Sequence, residues 1–74
     1  SEASRKLAMA SSNVDKANEN LRCANLGFSE GVIPSTDVME AQTAWMQAQS
    51  QMIDAEIEVK LSQVNLKKAL GTLQ

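Results

Sequence analysis

Apolar residues recur along the chain at alternating steps of three and four. In the first half they are Ala3, Leu7, Ala10, Val14, Ala17, Leu21, Ala24 and Phe28. In the second half they are Val38, Ala41, Trp45, Ala48, Met52, Ala55, Val59, Leu66, Ala69 and Leu73, with Ser62 filling one position. This is the heptad repeat of a coiled coil. We therefore predict two amphipathic helices that pack along one seam.

A cluster of Gly and Pro separates the two halves. Residues 27–34 read GFSEGVIP, a typical turn signal, whereas 2–26 and 35–70 contain neither Gly nor Pro. Both long stretches are rich in residues of high helix propensity. We expect an all-α fold, one antiparallel coiled-coil hairpin over residues 1–74. Its predicted parts are a helix at about 2–27, a turn at about 28–34 and a helix at about 35–70.

Folding the chain at this turn pairs large residues with large and small with small. Val14 then meets Met52, Ala17 meets Ala48, Leu21 meets Trp45, and Phe28 meets Val38. Alanine layers let two helix backbones approach closely, and Trp45 is the bulkiest residue of the seam. We expect Trp45 to pack over Leu21.

The start of the second helix has suitable capping residues. Pro34 fits the first turn of a helix, and the Ser35 or Thr36 hydroxyl can accept a hydrogen bond from a free backbone N–H. Asp37 and Glu40 follow, where carboxylates interact favourably with the helix dipole.

Composition excludes several functions. Seven basic and nine acidic residues give a net charge of −2, which argues against nucleic-acid binding. Without His, and with Cys23 as the sole cysteine, we expect no enzymatic activity, no cofactor and no metal site. We interpret Cys23 as a helix-surface or semi-buried thiol without a catalytic role. No apolar run is long enough for a membrane-spanning helix.

Two features suggest that the hairpin belongs to a larger helical assembly. The register leaves the end of the second helix, from Leu66 onward, without a partner, so we expect the first helix to continue upstream in a longer protein. A second apolar stripe (Ile53, Ile57, Leu61 and Val64) lies off the seam. We expect it to face further helices or another copy of the chain, so that the chain self-associates.

The sequence resembles a known family at three places. Residues 28–42, FSEGVIPSTDVMEAQ, resemble the tip of the second periplasmic hairpin of TolC-like outer-membrane efflux channels. Residues 66–73, LKKALGTL, resemble the sequence that ends a helix in that family, and residues 20–26 resemble its Asn-Leu-Arg motif. The sequence departs from the family at three positions. Pro34 stands where Ser or Thr is frequent, Met39 replaces a frequent Leu, and Glu40 replaces Asp.

The resemblance implies a homotrimeric channel in the outer membrane of a Gram-negative bacterium. This segment would form part of its periplasmic helical tunnel. Its partners would be a periplasmic adaptor (membrane fusion) protein and, through it, an inner-membrane transporter. The alternative is a coiled-coil interaction hairpin of a periplasmic adaptor or scaffold protein.

The resemblance also assigns roles to individual residues. Asp37 and Glu40 would be acids that gate the tunnel mouth, although helix capping explains them equally well. The adaptor-docking tip would consist of Phe28, Gly31, Val32, Ile33, Pro34 and Ser35. Any latch between neighbouring hairpins would be apolar, through Phe28, Val32 and Ile33.

Overall fold

The computed structural model describes the backbone of residues 1–71 and the side chains of residues 1–64. Helix α1 spans Glu2–Ser29 and helix α2 spans Ser35–Gly71, and the two pack against each other in antiparallel order. The hairpin is a rod of about 65 × 15 × 12 Å. The described backbone contains no strand, and the predicted all-α hairpin is confirmed. Helix α1 continues two residues beyond the end at 27 that the sequence suggested.

The core of the hairpin is the heptad seam. Every buried apolar residue among the described side chains lies on it: Ala10, Val14, Ala17, Val38, Ala48 and Ala55. Val14, Ala17 and Ala48 form the central cluster, and Trp45 and Met52 pack partly buried against it. Since four of the six buried residues are alanine, the two backbones lie close together. The predicted seam is therefore confirmed over the middle of the rod.

Two residues of the seam have surroundings that the sequence did not specify. The Trp45 indole N–H donates a hydrogen bond to Asn18 Oδ1, about one turn nearer the α1 N-terminus than the predicted partner Leu21. At the turn Val38 is buried, but Phe28, its predicted partner, is 49% exposed. Phe28 lies next to the last residue of α1, where the chain is already turning away from the seam. The unpaired seam residues from Leu66 onward lie outside the described side chains.

The two helix starts are capped differently. The Ser1 hydroxyl accepts a hydrogen bond from the Ser4 N–H at 3.3 Å and caps α1. At α2 the Pro34 carbonyl accepts from the Asp37 N–H at 3.1 Å, and the helix begins at Ser35. Pro34 is the last residue before the helix, and its carbonyl accepts a hydrogen bond from the first turn. It is therefore the N-cap residue. The sequence had suggested Ser35 or Thr36.

An ion pair links the helices near the end of the rod farthest from the turn. Lys6 Nζ lies 3.6 Å from Glu58 Oε1, with both side chains about half exposed. An exposed pair of this kind contributes at most about 1 kcal/mol, so the seam dominates stability. Neither helix, over its described length, is apolar enough to span a membrane.

Candidate functional site

The turn between the helices is held by several backbone hydrogen bonds. The Val32 N–H donates to the Gly27 carbonyl at 2.8 Å, and the Gly31 N–H donates to the Phe28 carbonyl at 3.0 Å. This pair of bonds is a Schellman motif, with Glu30 as C-cap and Gly31 in the left-handed conformation at φ +74°. Gly31 is suited to this position because a residue with a Cβ atom is strained there. The turn is thus a defined structure rather than a loose loop.

Ile33 anchors the turn on the end of α1. A Cβ atom placed on Gly27 would lie 3.2 Å from Ile33 Cγ1 and 3.4 Å from Ile33 Cδ1. The absence of a side chain at Gly27 therefore lets Ile33 pack directly on the α1 backbone. Ile33 is half-buried as a result.

The remaining apolar residues of the tip face solvent. Val32 is 75% exposed, the most exposed large apolar side chain of the described part of the chain, and Phe28 is 49% exposed. Leu26, two residues before Phe28 on α1, is 52% exposed. We refer to these three exposed residues together as the apolar tip surface. Gly31, Pro34 and Ser35 are also exposed, so of the six predicted tip residues Ile33 alone is held partly inside.

The two acids lie just beyond the turn, on the first turns of α2. Asp37 and Glu40 are three residues apart and both are exposed, so they share one side of the helix. Among the described side chains neither forms a salt bridge. Thr36, Met39, Glu40 and Thr43 line a shallow open groove beside them. The tip thus combines an apolar end with uncompensated negative charge one to two turns away.

Cys23 lies in a different environment, on the exposed surface of α1. The Arg22 guanidinium binds both Glu19 carboxylate oxygens, at 2.6 and 3.1 Å, and it lowers the pKa of Glu19 chiefly through these hydrogen bonds. The same contact raises the pKa of Arg22. The Cys23 thiol lies 3.7 Å from Glu19 and 3.8 Å from Arg22. This is a solvated helix surface, as the sequence indicated.

Two contacts near the site were not evident from the sequence. One is the packing of Ile33 on Gly27, and the other is the hydrogen bond between Trp45 and Asn18. A glycine in the last turn of a helix, followed by a β-branched residue six positions later, was the available signal for the first. For the second, the signal was an Asn on α1 flanking the seam near a Trp on α2.

The structure is thus an antiparallel coiled-coil hairpin with exposed apolar residues at its turn. The sequence matches the outer membrane efflux protein family over residues 1–72. The chain belongs to this family. Comparisons with curated proteins and with solved structures gave no match. The resemblance to TolC-like channels is therefore confirmed at the level of the family, which is a family of transport channels.

Proposed function

We propose that the hairpin is a periplasmic tunnel element of a trimeric efflux channel and that its turn docks a periplasmic adaptor protein. The observation that carries this proposal is the exposed Val32 side chain, held by a turn with several backbone hydrogen bonds at the end of a 65 Å rod. A fixed apolar group at the end of a rod loses little conformational entropy on binding, which favours association.

The proposed docking partner has a matching shape. An adaptor that presents helical hairpins would meet the turn end to end and bury Val32, Phe28 and Leu26. Contacts between few residues in a small area suit a reversible interaction between parts of a pump. The adaptor in turn would connect the channel to an inner-membrane transporter.

We further propose that Asp37 and Glu40 line the mouth of the tunnel. In a homotrimer these two exposed acids would place six carboxyl groups near one axis. Such a ring concentrates cations and repels anions at a constriction. Their freedom from salt bridges among the described side chains supports this role, because nearby cations do not neutralise them.

Docking is tested in the full-length channel protein by Val32→Asp, which adds a charge to the apolar tip surface. Efflux activity and site-specific cross-linking to the adaptor are measured in cells that contain equal amounts of channel. We expect both to fall by tenfold or so, since one desolvated charge costs more than about 1.4 kcal/mol.

Met9→Asp is the matched control. Met9 is 61% exposed on α1, about 30 Å from the turn at 1.5 Å per residue, and therefore reports any general effect of an added surface charge. Normal efflux and cross-linking in Val32→Asp would rule out docking through this surface. Equal losses in both variants would point to a folding or insertion defect and would also reject the specific role of the tip.

The alternative, a hairpin of an adaptor or scaffold protein, has the same shape. The match to the outer membrane efflux protein family covers nearly the whole chain and favours the channel.

A further inference from the structure

Ile33 has a different environment from the other residues of the turn. Among residues 28–34, all of which the structure describes, it is the only one that is not exposed. Its neighbour Val32 is 75% exposed. A Cβ atom at Gly31 would meet nothing within 4 Å, so no side chain packs against the turn at that point. Within this segment, Ile33 is therefore the residue whose side chain packs against the hairpin.

Gly27 is the residue of α1 that receives the turn. Its carbonyl accepts a hydrogen bond from the Val32 N–H at 2.8 Å and a longer one from the Ile33 N–H at 3.4 Å. A Cβ atom at Gly27 would lie 3.2 to 3.6 Å from three side-chain carbons of Ile33. The Ile33 side chain thus lies where any other amino acid at position 27 would place its own. Backbone and side-chain contacts together hold Val32 and Ile33 to one point of α1.

The two residues of this contact are matched in size. Gly27 lies within α1, where glycine is a poorer helix former than alanine. Alanine, however, would bring a carbon to 3.2 Å from Ile33 Cγ1, closer than the optimum of about 3.5–4.0 Å between carbon atoms. Ile33 would have to move outward to accept it. The weaker helix former at position 27 therefore permits the close packing of Ile33.

We propose that Ile33 is a positioning residue, which packs on Gly27 and so holds the turn with Val32 in one orientation at the end of the rod. This inference rests on the proposed docking of an adaptor through Val32. Ile33 contributes to docking without touching the partner, because a turn that is already ordered loses less conformational entropy on binding. Val32 and Ile33, which the sequence placed together in the docking tip, then have separate roles.

The effect of Ile33 on the turn is tested by hydrogen–deuterium exchange in the full-length channel. The N–H groups of Gly31 and Val32 donate hydrogen bonds within the turn, so their exchange reports its opening. In Ile33→Ala these amides should exchange about tenfold faster, whereas Ile33→Val, which keeps Cγ1 and Cγ2, should change the rate by at most about threefold. Ile57→Ala is the matched control, since it shortens a 50% exposed isoleucine of α2 far from the turn. It should leave both amides unchanged. Unchanged exchange in Ile33→Ala would overturn the proposal.

Cross-linking to the adaptor distinguishes positioning from direct contact. Ile33→Ala removes apolar surface, whereas Gly27→Ala removes none and fills the space that Ile33 occupies. Both variants should lower cross-linking by about three- to tenfold, the factor that corresponds to ordering one side chain on binding. Ile33→Val should retain cross-linking. The double variant should lose no more than either single variant, because both substitutions disrupt one contact.

A loss in Ile33→Ala with natural cross-linking in Gly27→Ala would show that Ile33 touches the adaptor directly and would overturn the positioning role. Gly27→Ala also keeps the test valid if Ile33→Ala fails to assemble, because alanine favours the helix.

Val32→Asp separates a failure of this inference from a failure of adaptor docking. If Val32→Asp abolishes cross-linking while Ile33→Ala retains it despite faster exchange of the turn, docking stands and the positioning role is rejected. If Val32→Asp cross-links normally, docking through Val32 is rejected and the positioning role with it.

Discussion

The indole N–H of Trp45 on α2 donates a hydrogen bond to the side-chain oxygen of Asn18 on α1. It is the one side-chain hydrogen bond between the helices among the described residues. Apolar layers of similar size tolerate a shift along the seam, whereas this bond forms in one register. The contact therefore adds a polar restraint to the register in which Val14, Ala17 and Ala48 pack.

Two substitutions of Trp45 should separate the polar and the apolar contribution of this contact to the free energy of unfolding. Trp45→Phe eliminates the donor and should lower the free energy of unfolding by about 1 kcal/mol. Trp45→Ala should cost about 3 kcal/mol, the low end for a large aromatic, because the indole is only partly buried. Urea unfolding at one fixed protein concentration measures both. A loss under about 1 kcal/mol for Trp45→Ala would place the indole outside the seam.

The conformation of Gly31 makes a prediction about the turn. Its φ of +74° is strained for any residue with a Cβ atom, yet a Cβ atom there would meet nothing within 4 Å. Gly31→Ala should therefore destabilise the hairpin by about 1 kcal/mol through backbone strain alone. Gly31→Asn should recover part of the loss, since Asn tolerates this conformation better. Equal stability of all three proteins would contradict the Schellman turn.

The ion pair between Glu19 and Arg22 predicts a dependence on pH. Because Arg22 lowers the pKa of folded Glu19 below its ordinary value of 4.5, the carboxylate stabilises the folded state above that pH. This contribution should disappear as the pH falls through the lowered pKa. As the pH falls over that interval, the Glu19→Gln variant should therefore lose less stability than the natural sequence. Thermal unfolding at a series of pH values measures this difference. Added salt should reduce the difference in stability between the two proteins, because Glu19 and Arg22 are both exposed and their interaction is screened.

The acids near the turn predict an ion preference of the assembled channel. In the full-length trimer, Asp37→Asn combined with Glu40→Gln should weaken cation selectivity in planar-bilayer recordings, because six carboxyl groups would lose their charge. Asp15→Asn, an exposed acid on α1, is the control and should leave selectivity unchanged. Unchanged selectivity in the double variant would show that these acids do not act on ions in the channel. Their role would then be to stabilise the start of α2 through the helix dipole.

The heptad pattern was sufficient to predict the hairpin and its buried residues. Val14, Ala17 and Ala48 meet in the core because seven-residue spacing places them on one side of each helix, a property that each helix has by itself. The turn was predictable for a similar reason, because Gly31 is the residue type that a left-handed helix end favours. The family resemblance depended on the same local motifs.

Contacts between the helices required the tertiary structure. The sequence placed Phe28 opposite Val38, but Phe28 is 49% exposed. The packing of Ile33 on Gly27 and the hydrogen bond from Trp45 to Asn18 were not specified by the sequence. These contacts depend on where α1 ends and on the axial displacement of two helices, and periodicity within one helix specifies neither. The sequence by itself determined which residues face the seam. The tertiary structure decided which of them meet, because close packing selects one displacement from several that satisfy the same period.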